Sequence, residues 1–236
     1  MRLLERTGDR VKEFAEQLSS VSSVETVVQE KLNEKGKVVI NARTAYVYLL
    51  SLRWDSAGLL LDESRLPIGQ SLKKAPRGAL LTTQGFATLS LIFHPEYQSS
   101  YAFTALGEEE AAGRKTLKVG FLARNGMRSP GILELKGRNY PITWEGTAWI
   151  DPELAVVTHI EAHWREPSEE VGLQELSSDV RYTPVGLRGG AQTFWLPQTA
   201  RVEVKTKHQR WRNSHQFASY KLFVVDADSK VEGGKK

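Results

Sequence analysis

Alternation of apolar and polar side chains is the clearest pattern in the chain, and it is strongest between Trp144 and Arg165. After an Asp151-Pro152-Glu153 turn, one set of alternate residues is largely apolar and the other is largely charged. The first set is Val156, Thr158, Ile160, Ala162 and Trp164, and the second is Val157, His159, Glu161, His163 and Arg165. A period of two is typical of a half-buried β-strand. The segment therefore predicts a β-hairpin with one face toward the interior.

The same period recurs along most of the chain and predicts a mainly antiparallel β protein. Most of the predicted strands are separated by short turns, which antiparallel pairing allows and parallel pairing does not. Strands are predicted at 24–31, 38–54, 59–66, 101–106, 115–123, 131–136, 144–151, 155–165, 177–184, 194–206 and 215–225.

Two helices are predicted beside these strands. Residues 3–18 place Leu4, Val11, Phe14 and Leu18 at helical spacing, with charged residues around the rest of the helix. A second helix is predicted near 79–93, ending at His94-Pro95 because proline cannot continue the backbone hydrogen bonds. The predicted fold class is α+β, mainly antiparallel β: a curved half-barrel sheet of about ten strands with an N-terminal helix and this second helix.

The 236 residues are expected to form one domain. Single β-rich domains of roughly 200 to 250 residues are common, so we predict a single monomeric domain over residues 1–225 and a disordered polar tail over 226–236. The sequence has no apolar run that fits a signal peptide or a membrane span. As given it indicates a cytoplasmic protein, whereas an upstream signal peptide would make it periplasmic.

Positive charge is concentrated near the C-terminal end of the predicted sheet. The net charge is +4, and residues 201–215 carry five cations against Glu203. Such a basic patch can attract an acidic protein or a membrane surface, although a solvated strand face is the commoner explanation. Both interpretations stay open, and no nucleic acid partner is expected. The patch consists of Arg201, Lys205, Lys207, Arg210 and Arg212.

Catalytic motifs are missing from the sequence. Without cysteine there is no disulfide, thiolate metal site or cysteine nucleophile. The chain has no Gly-x-Ser-x-Gly elbow, Walker loop or Gly-x-Gly-x-x-Gly motif. Glu108, Glu109 and Glu110 are predicted to be a solvated loop cluster. We therefore expect a protein that is not an enzyme, with no catalytic residue and no cofactor.

One cluster, His159, Glu161 and His163, resembles a metal site and has to be weighed separately. The zinc-protease helix motif places glutamate directly after the first histidine, and here it comes one residue later. On a strand the three side chains would share a face about 6.5 to 7 Å apart, so neighbours could pair on an ion but all three are spread widely. A solvated strand face is the preferred interpretation, and no metal is predicted.

Aromatic side chains recur in the predicted strands, and they either fill a core or line an apolar pocket. We expect any ligand to bind on the apolar side of the sheet. The aromatic residues are Trp54, Trp149, Trp164, Trp195 and Trp211, with Tyr46 and Tyr48. The predicted cavity residues are Tyr46, Tyr48, Leu50, Ile160 and Trp164.

Several segments, taken in order, carry a family resemblance. They are Val24-Glu25-Thr26-Val27-Val28-Gln29-Glu30, Leu89-Ser90-Leu91-Ile92-Phe93-His94-Pro95, Gly146-Thr147-Ala148-Trp149-Ile150-Asp151-Pro152-Glu153, Tyr182-Thr183-Pro184-Val185, Leu196-Pro197 and Phe217-Ala218-Ser219-Tyr220-Lys221-Leu222-Phe223. Together they resemble uncharacterised exported proteins of acidobacterial type, which are distantly similar to the LolA/LolB lipoprotein-carrier fold.

The resemblance implies an antiparallel half-barrel wrapped over helices, with an apolar concavity that holds acyl chains in the carriers. It implies a periplasmic carrier or binding protein for a lipid, a lipoprotein acyl chain or another hydrophobic ligand. An envelope interaction module that uses the basic patch is the alternative. A metal-dependent hydrolase built on His159 and His163 is the third and least favoured possibility.

Overall fold

Eight segments of the chain are described by the structure, which is a computed structural model. They are residues 2–17, 21–55, 58–69, 85–111, 114–135, 138–166, 172–187 and 192–222. The predicted tail, Leu18 and residues 79–84 lie outside these segments, and the side chains of Leu52 and Trp54 lie outside the described side chains.

The predicted curved sheet is confirmed. Ten strands of the described residues form one open, curled antiparallel sheet, and two short strands pair separately. The strands in the described residues are β1 Val21–Leu32, β2 Val38–Asp55, β3 Gly58–Pro67, β4 Tyr101–Ala111, β5 Arg114–Ala123, β6 Ile132–Leu135, β7 Arg138–Pro141, β8 Trp144–Asp151, β9 Val156–Trp164, β10 Leu173–Leu187, β11 Gln192–Thr206 and β12 Arg210–Leu222. Their order in the main sheet is β3-β2-β1-β12-β11-β10-β9-β8-β5-β4, so the first strand pairs with the last.

Within the described segments, three helical pieces accompany the sheet: α1 Arg2–Gln17, a 3-10 helix at Phe86–Phe93 and the single turn α2 Pro95–Gln98. The second helix is thus a 3-10 helix, and it starts after Gly85, whose φ of 79° is left-handed. Pro95 was predicted only to end the second helix, but it is also the first residue of α2. Proline is tolerated in a first helical turn, where its missing N–H would have no helical partner.

The core lies between the sheet and these helices. Ile92 and Phe93 of the 3-10 helix are fully buried in one apolar cluster that also contains Val11 of α1. The Tyr97 hydroxyl of α2 donates to the Leu59 carbonyl oxygen of β3 at 2.9 Å, and α2 leads within two residues into β4. β3 and β4 are the two edge strands of the main sheet, so both edges are connected to α2. This arrangement is consistent with a sheet that curls over the helix.

The predicted hairpin is confirmed as β8 and β9, but its alternation is interrupted. Trp149 pairs with His159 whereas Ile150 pairs with Val157, so Thr158 is an extra residue on β9. An extra residue of this kind is a β-bulge, and it reverses the faces beyond it. Val157 is consequently buried with Ile160, and the prediction that Val156 and Thr158 share that face was wrong.

Glu108 to Glu110 continue β4, so the predicted loop was wrong. Across the strand pair, Lys115 Nζ lies 2.6 Å from Glu108 and Lys118 Nζ lies 3.3 Å from Glu109. These cations offset the repulsion among three adjacent carboxylates, because opposite charges on neighbouring strands stabilise a sheet. The glutamates remain exposed, as expected.

Candidate functional site

A cleft opens where β9 and β10 stop pairing. The described ladder between them ends with Arg181 opposite His159, whereas β10 continues along β11 as far as Leu187. The bulge at Thr158 lies directly beyond the last pair, and Pro184 of β10 has no N–H to donate to a neighbour. The bulge and the proline therefore end the β9–β10 ladder at this point, and a cavity lies on each side of the sheet opening.

The inner cavity, on the side of α1, has a volume of about 490 Å³. Most of its walls are apolar, and its charged residues, Arg10, Glu13 and Arg114, are exposed at the rim. This size lies within the usual range for sites of small organic ligands. The lining consists of Arg10, Val11, Glu13, Phe14, Ser90, Arg114, Leu154, Val156, Val157, Tyr182, Pro184, Thr193, Phe194 and Trp195.

The outer cavity has a volume of about 480 Å³ and is more polar in composition. It shares Arg114, Tyr182, Pro184 and Trp195 with the inner cavity, and we call the two together the seam cleft. Its other lining residues are Glu109, Thr116, Trp149, Thr158, His159, Glu161, Arg181, Thr183 and Gln198.

The rim of the inner cavity is held by the turn between β8 and β9. The Asp151 carboxylate accepts the backbone N–H groups of Glu153 and Leu154 at 2.9 and 3.0 Å, and Arg114 Nη1 lies 3.2 Å from its other oxygen. Arg6 of α1 donates to the Glu153 carbonyl oxygen at 2.7 Å. Turn and helix are thus fastened together beside the opening.

Tyr182 connects the back of the inner cavity to the 3-10 helix. Its hydroxyl oxygen accepts the Ser90 backbone N–H at 3.1 Å. Burial raises the pKa of Tyr182 far above its ordinary value, so the hydroxyl is neutral at physiological pH. The wall here is a neutral and already hydrogen-bonded surface.

His159 and Glu161 of the outer cavity form a cluster with Asp179 of β10. His159 Nε2 lies 2.9 Å from Asp179 Oδ1 and 3.6 Å from Glu161 Oε1. The imidazole stacks on Trp149 with 4.3 Å between ring centroids, so it is buried rather than solvated as we had expected. The hydrogen bond with His159 lowers the pKa of Asp179.

His163, the third member of the predicted cluster, lies apart from this group. Its Nε2 is 2.6 Å from Glu145 Oε1 of β8. The structure therefore keeps His159 and Glu161 together but adds Asp179 from β10. Sequence spacing could not find Asp179, because its position depends on the pairing of Asp179 with Glu161 across two strands.

The predicted cavity residues lie elsewhere in the molecule. Tyr48, Leu50, Ile160 and Trp164 are buried members of the main core cluster, and Tyr46 is half-buried. They do not line the inner or the outer cavity. Their contact with a ligand stays a prediction.

Charged side chains of β1, β3 and β12 are buried, and the sequence did not predict this cluster. Arg65 of β3 reaches over β2 and donates two hydrogen bonds to Glu25 of β1, at 2.6 and 3.0 Å. His215 Nδ1 lies 2.7 Å from Glu25, whose side chain is 0% exposed, and Arg65 Nη2 lies 3.5 Å from Glu63. One signal of this cluster was present in the sequence: Glu25 falls on the same side of β1 as the apolar residues Val21 and Val27.

The two buried carboxyls titrate in opposite directions. Burial by itself would raise the pKa of Glu25, but hydrogen bonds with His215 and Arg65 outweigh it and hold the pKa below its ordinary value. Burial raises the pKa of Glu63, against the opposing charge of Arg65. Stability from Glu25 is therefore lost as pH falls through its lowered pKa, whereas ionisation of Glu63 destabilises the fold as pH rises.

We expect Glu63→Gln to prevent the loss of stability that ionisation of Glu63 causes at higher pH. The variant should be more stable than the unchanged protein at pH 8, by on the order of 1 kcal/mol, because an ionised buried carboxylate is costly. Urea unfolding at pH 5 and pH 8 measures the effect. Glu108→Gln is the control, since Glu108 is exposed. Equal pH dependence in all three proteins would contradict the raised pKa of Glu63.

The basic patch carries less free charge than the sequence indicated. Four of its five cations are ion-paired, and exposed Lys207 has no ion pair among the described residues. Binding of an acidic partner there stays a prediction. The pairs are Arg201–Glu203, Lys205–Glu175, Arg210–Glu203 and Arg212–Glu30.

No helix in the described part of the chain combines the length and the apolar character needed to cross a membrane. No protein-family model matches the sequence, and no curated protein matches it.

Solved structures are similar to this chain over most of its length. A DUF1329 family protein from Desulfovibrio piger is 10% identical, with a TM-score of 0.48 and coverage of 96% of this chain and 94% of the other. A LolA superfamily protein from Nitrosomonas europaea is 11% identical, with a TM-score of 0.45 and 94% coverage of both chains. A putative outer membrane lipoprotein-sorting protein domain from Vibrio parahaemolyticus is 11% identical, with a TM-score of 0.44 and coverage of 94% of this chain and 92% of the other.

The likeness to these structures is distant. It identifies no ligand and no functional residue of this chain.

Proposed function

We propose that the protein binds a hydrophobic ligand with an anionic end, such as a fatty acid or another anionic lipid, in the inner cavity of the seam cleft. The observation that carries the proposal is the cavity of about 490 Å³ with apolar walls and cations at its rim. Burial of apolar ligand surface would supply most of the affinity, at about 25 cal/mol per Å² before the costs of association.

Arg10 and Arg114 give this cavity a charge preference. Arg10 Nη1 lies 2.8 Å from Glu13 and Arg114 Nη1 lies 3.2 Å from Asp151, yet both arginine side chains are 56% exposed. Exposed ion pairs are weak, so Arg10 can turn toward a ligand carboxylate or phosphate at little cost, whereas Arg114 stays beside the buried Asp151 carboxylate and attracts the ligand from there. The apolar part of the ligand would then lie against Val156, Phe194 and Trp195.

The cavity can be tested with a fluorescent fatty acid, using Val156→Glu as the main variant. A carboxylate in the apolar wall should weaken binding at least tenfold, about 1.4 kcal/mol, because it would be desolvated beside the acyl chain. Val39→Glu is the matched control, since Val39 is an exposed valine of β2 outside the cavity. Circular dichroism verifies that both variants are folded.

Two results would contradict the proposal. One is a folded unchanged protein that takes up neither the fatty acid nor an uncharged long-chain alcohol. The other is full binding by Val156→Glu, which would favour the predicted set around Tyr48 and Trp164 instead. Arg114→Gln separates the charge from the apolar wall, since it should weaken fatty acid binding but not alcohol binding.

We place this function in the bacterial periplasm, following the family resemblance of the sequence. Fractionation of cells that express the complete genomic reading frame tests the location, and recovery of the protein in the cytoplasmic fraction alone would contradict it.

A further inference from the structure

We propose that His159 and Glu161 of the outer cavity, together with Asp179 of the neighbouring strand β10, bind one divalent transition-metal ion. One ligand atom from each of these side chains lies within 4.8 Å of the other two. The proposal goes beyond hydrophobic ligand binding and does not depend on it, because it concerns different side chains of the cleft.

The distances are close to those of a metal-bound set. Tetrahedral zinc with bonds of about 2.0 to 2.2 Å has ligand atoms about 3.4 Å apart. His159 Nε2 is 2.9 Å from Asp179 Oδ1 and 3.6 Å from Glu161 Oε1. The Glu161 side chain is 56% exposed, so a rotation can complete the set without backbone movement.

The sheet holds the three residues in place. His159 and Glu161 project from the same face of β9, and Asp179 of β10 pairs directly with Glu161. Stacking on Trp149 restricts rotation of the imidazole. Three protein ligands leave a fourth position, and all of this lies beside the outer cavity, which Glu161 and His159 line.

Ligand chemistry selects the class of ion. One imidazole and two carboxylates suit Zn²⁺, Ni²⁺ or Cu²⁺ better than Ca²⁺ or Mg²⁺, which prefer oxygen ligands alone. The two carboxylates balance the charge of a divalent ion. Arg181 Nε is 3.9 Å from Asp179 Oδ1, so this guanidinium group competes with the ion. We therefore expect weaker binding than at a structural zinc site.

Trp149 provides an internal reporter for the test. The full chain, stripped with a chelator and dialysed, would be titrated with NiCl₂ or CuCl₂ while tryptophan fluorescence is recorded, and with ZnCl₂ by calorimetry. We expect one ion per chain, with quenching of the Trp149 emission by Ni²⁺ or Cu²⁺. Asp179→Asn and Glu161→Gln should each lower the affinity at least tenfold.

Matched histidine variants distinguish this site from adventitious binding. His163→Gln and His208→Gln remove exposed histidines that lie outside the set, and both should bind as the unchanged protein does. Thermal unfolding with Zn²⁺ gives a second measurement, because an ion that binds the folded state raises the Tm of the unchanged protein and not that of Asp179→Asn.

Three outcomes would overturn the proposal. They are no binding at millimolar ion concentration, unchanged affinity in a folded Asp179→Asn variant, and loss of binding in His163→Gln or His208→Gln that equals the loss in Asp179→Asn. The last outcome would assign the ion to the exposed histidines.

Discussion

Replacing Arg65 with methionine is expected to lower the free energy of unfolding by about 3 to 5 kcal/mol, because the change leaves a buried carboxylate without its main partner. Glu25 is fully buried, and Arg65 supplies two of the hydrogen bonds that offset its loss of water. Methionine preserves much of the length and apolar packing of the arginine stem. Urea unfolding at pH 7 measures the difference.

The double variant Glu25→Gln with Arg65→Met tests the cause of this loss. It removes both charges, so it should recover a large part of the stability that Arg65→Met loses, and the double-mutant cycle should give a coupling energy above 1 kcal/mol. Arg201→Met is the control, because the Arg201–Glu203 pair is exposed and should contribute about 1 kcal/mol or less. Equal losses in Arg65→Met and Arg201→Met would contradict the importance of burial.

The second large effect is expected at Gly146 of β8. A Cβ atom built on Gly146 would overlap the Glu161 carbonyl oxygen of β9, and it would lie 2.9 Å from the Ala162 Cα. These are backbone atoms, so no change of rotamer relieves the overlap, and β8 and β9 must separate. We expect Gly146→Ala to cost about 3 kcal/mol, the upper part of the range for overpacking.

Gly120→Ala is the matched control on the neighbouring strand β5. Its Cβ would meet the Leu106 side chain at 3.3 Å, and Leu106 is exposed and free to move. Thermal unfolding should show a loss of at least several degrees for Gly146→Ala and a small change for Gly120→Ala. Similar Tm values for the two variants would show that β8 and β9 adjust at this contact.

The β8–β9 hairpin also links the two proposals for the seam cleft. It carries Val156 and Val157 to the inner cavity and His159 and Glu161 to the outer one. Thr158 lies between these two pairs of residues, and its bulge reverses which face of β9 the following side chains occupy. A single extra residue in β9 therefore divides the cleft into an apolar part and a part that contains His159 and Glu161.

Local alternation in the sequence was sufficient to predict much of the sheet. In β11, Ala200, Val202 and Val204 are buried, whereas Arg201 is exposed, as their spacing of two residues requires. The β8–β9 turn and the N-terminal helix were predicted for the same reason. Each of these features depends on side chains within one element, so its pattern is visible along the chain.

Features that depend on a neighbouring strand were not predicted. Glu109 belongs to β4, where it pairs with Thr116 of β5 and lies 3.3 Å from Lys118 Nζ, and these contacts between strands override the poor strand propensity of adjacent glutamates. The helix near 79–93 was predicted, but its 3-10 form was not, because its mostly apolar residues show no amphipathic pattern and are stabilised by burial in the core.

The sequence by itself determined most of the segments that form strands and many of their apolar faces, because the pleat of a strand imposes a period of two on its own residues. The tertiary structure decided which side chains meet: Asp179 beside His159, Arg65 on Glu25, and Phe14 near Trp195 at one cavity. Those encounters depend on strand order, register and the point where the β9–β10 ladder ends. These are set by contacts between residues far apart in the chain, which local periodicity does not record.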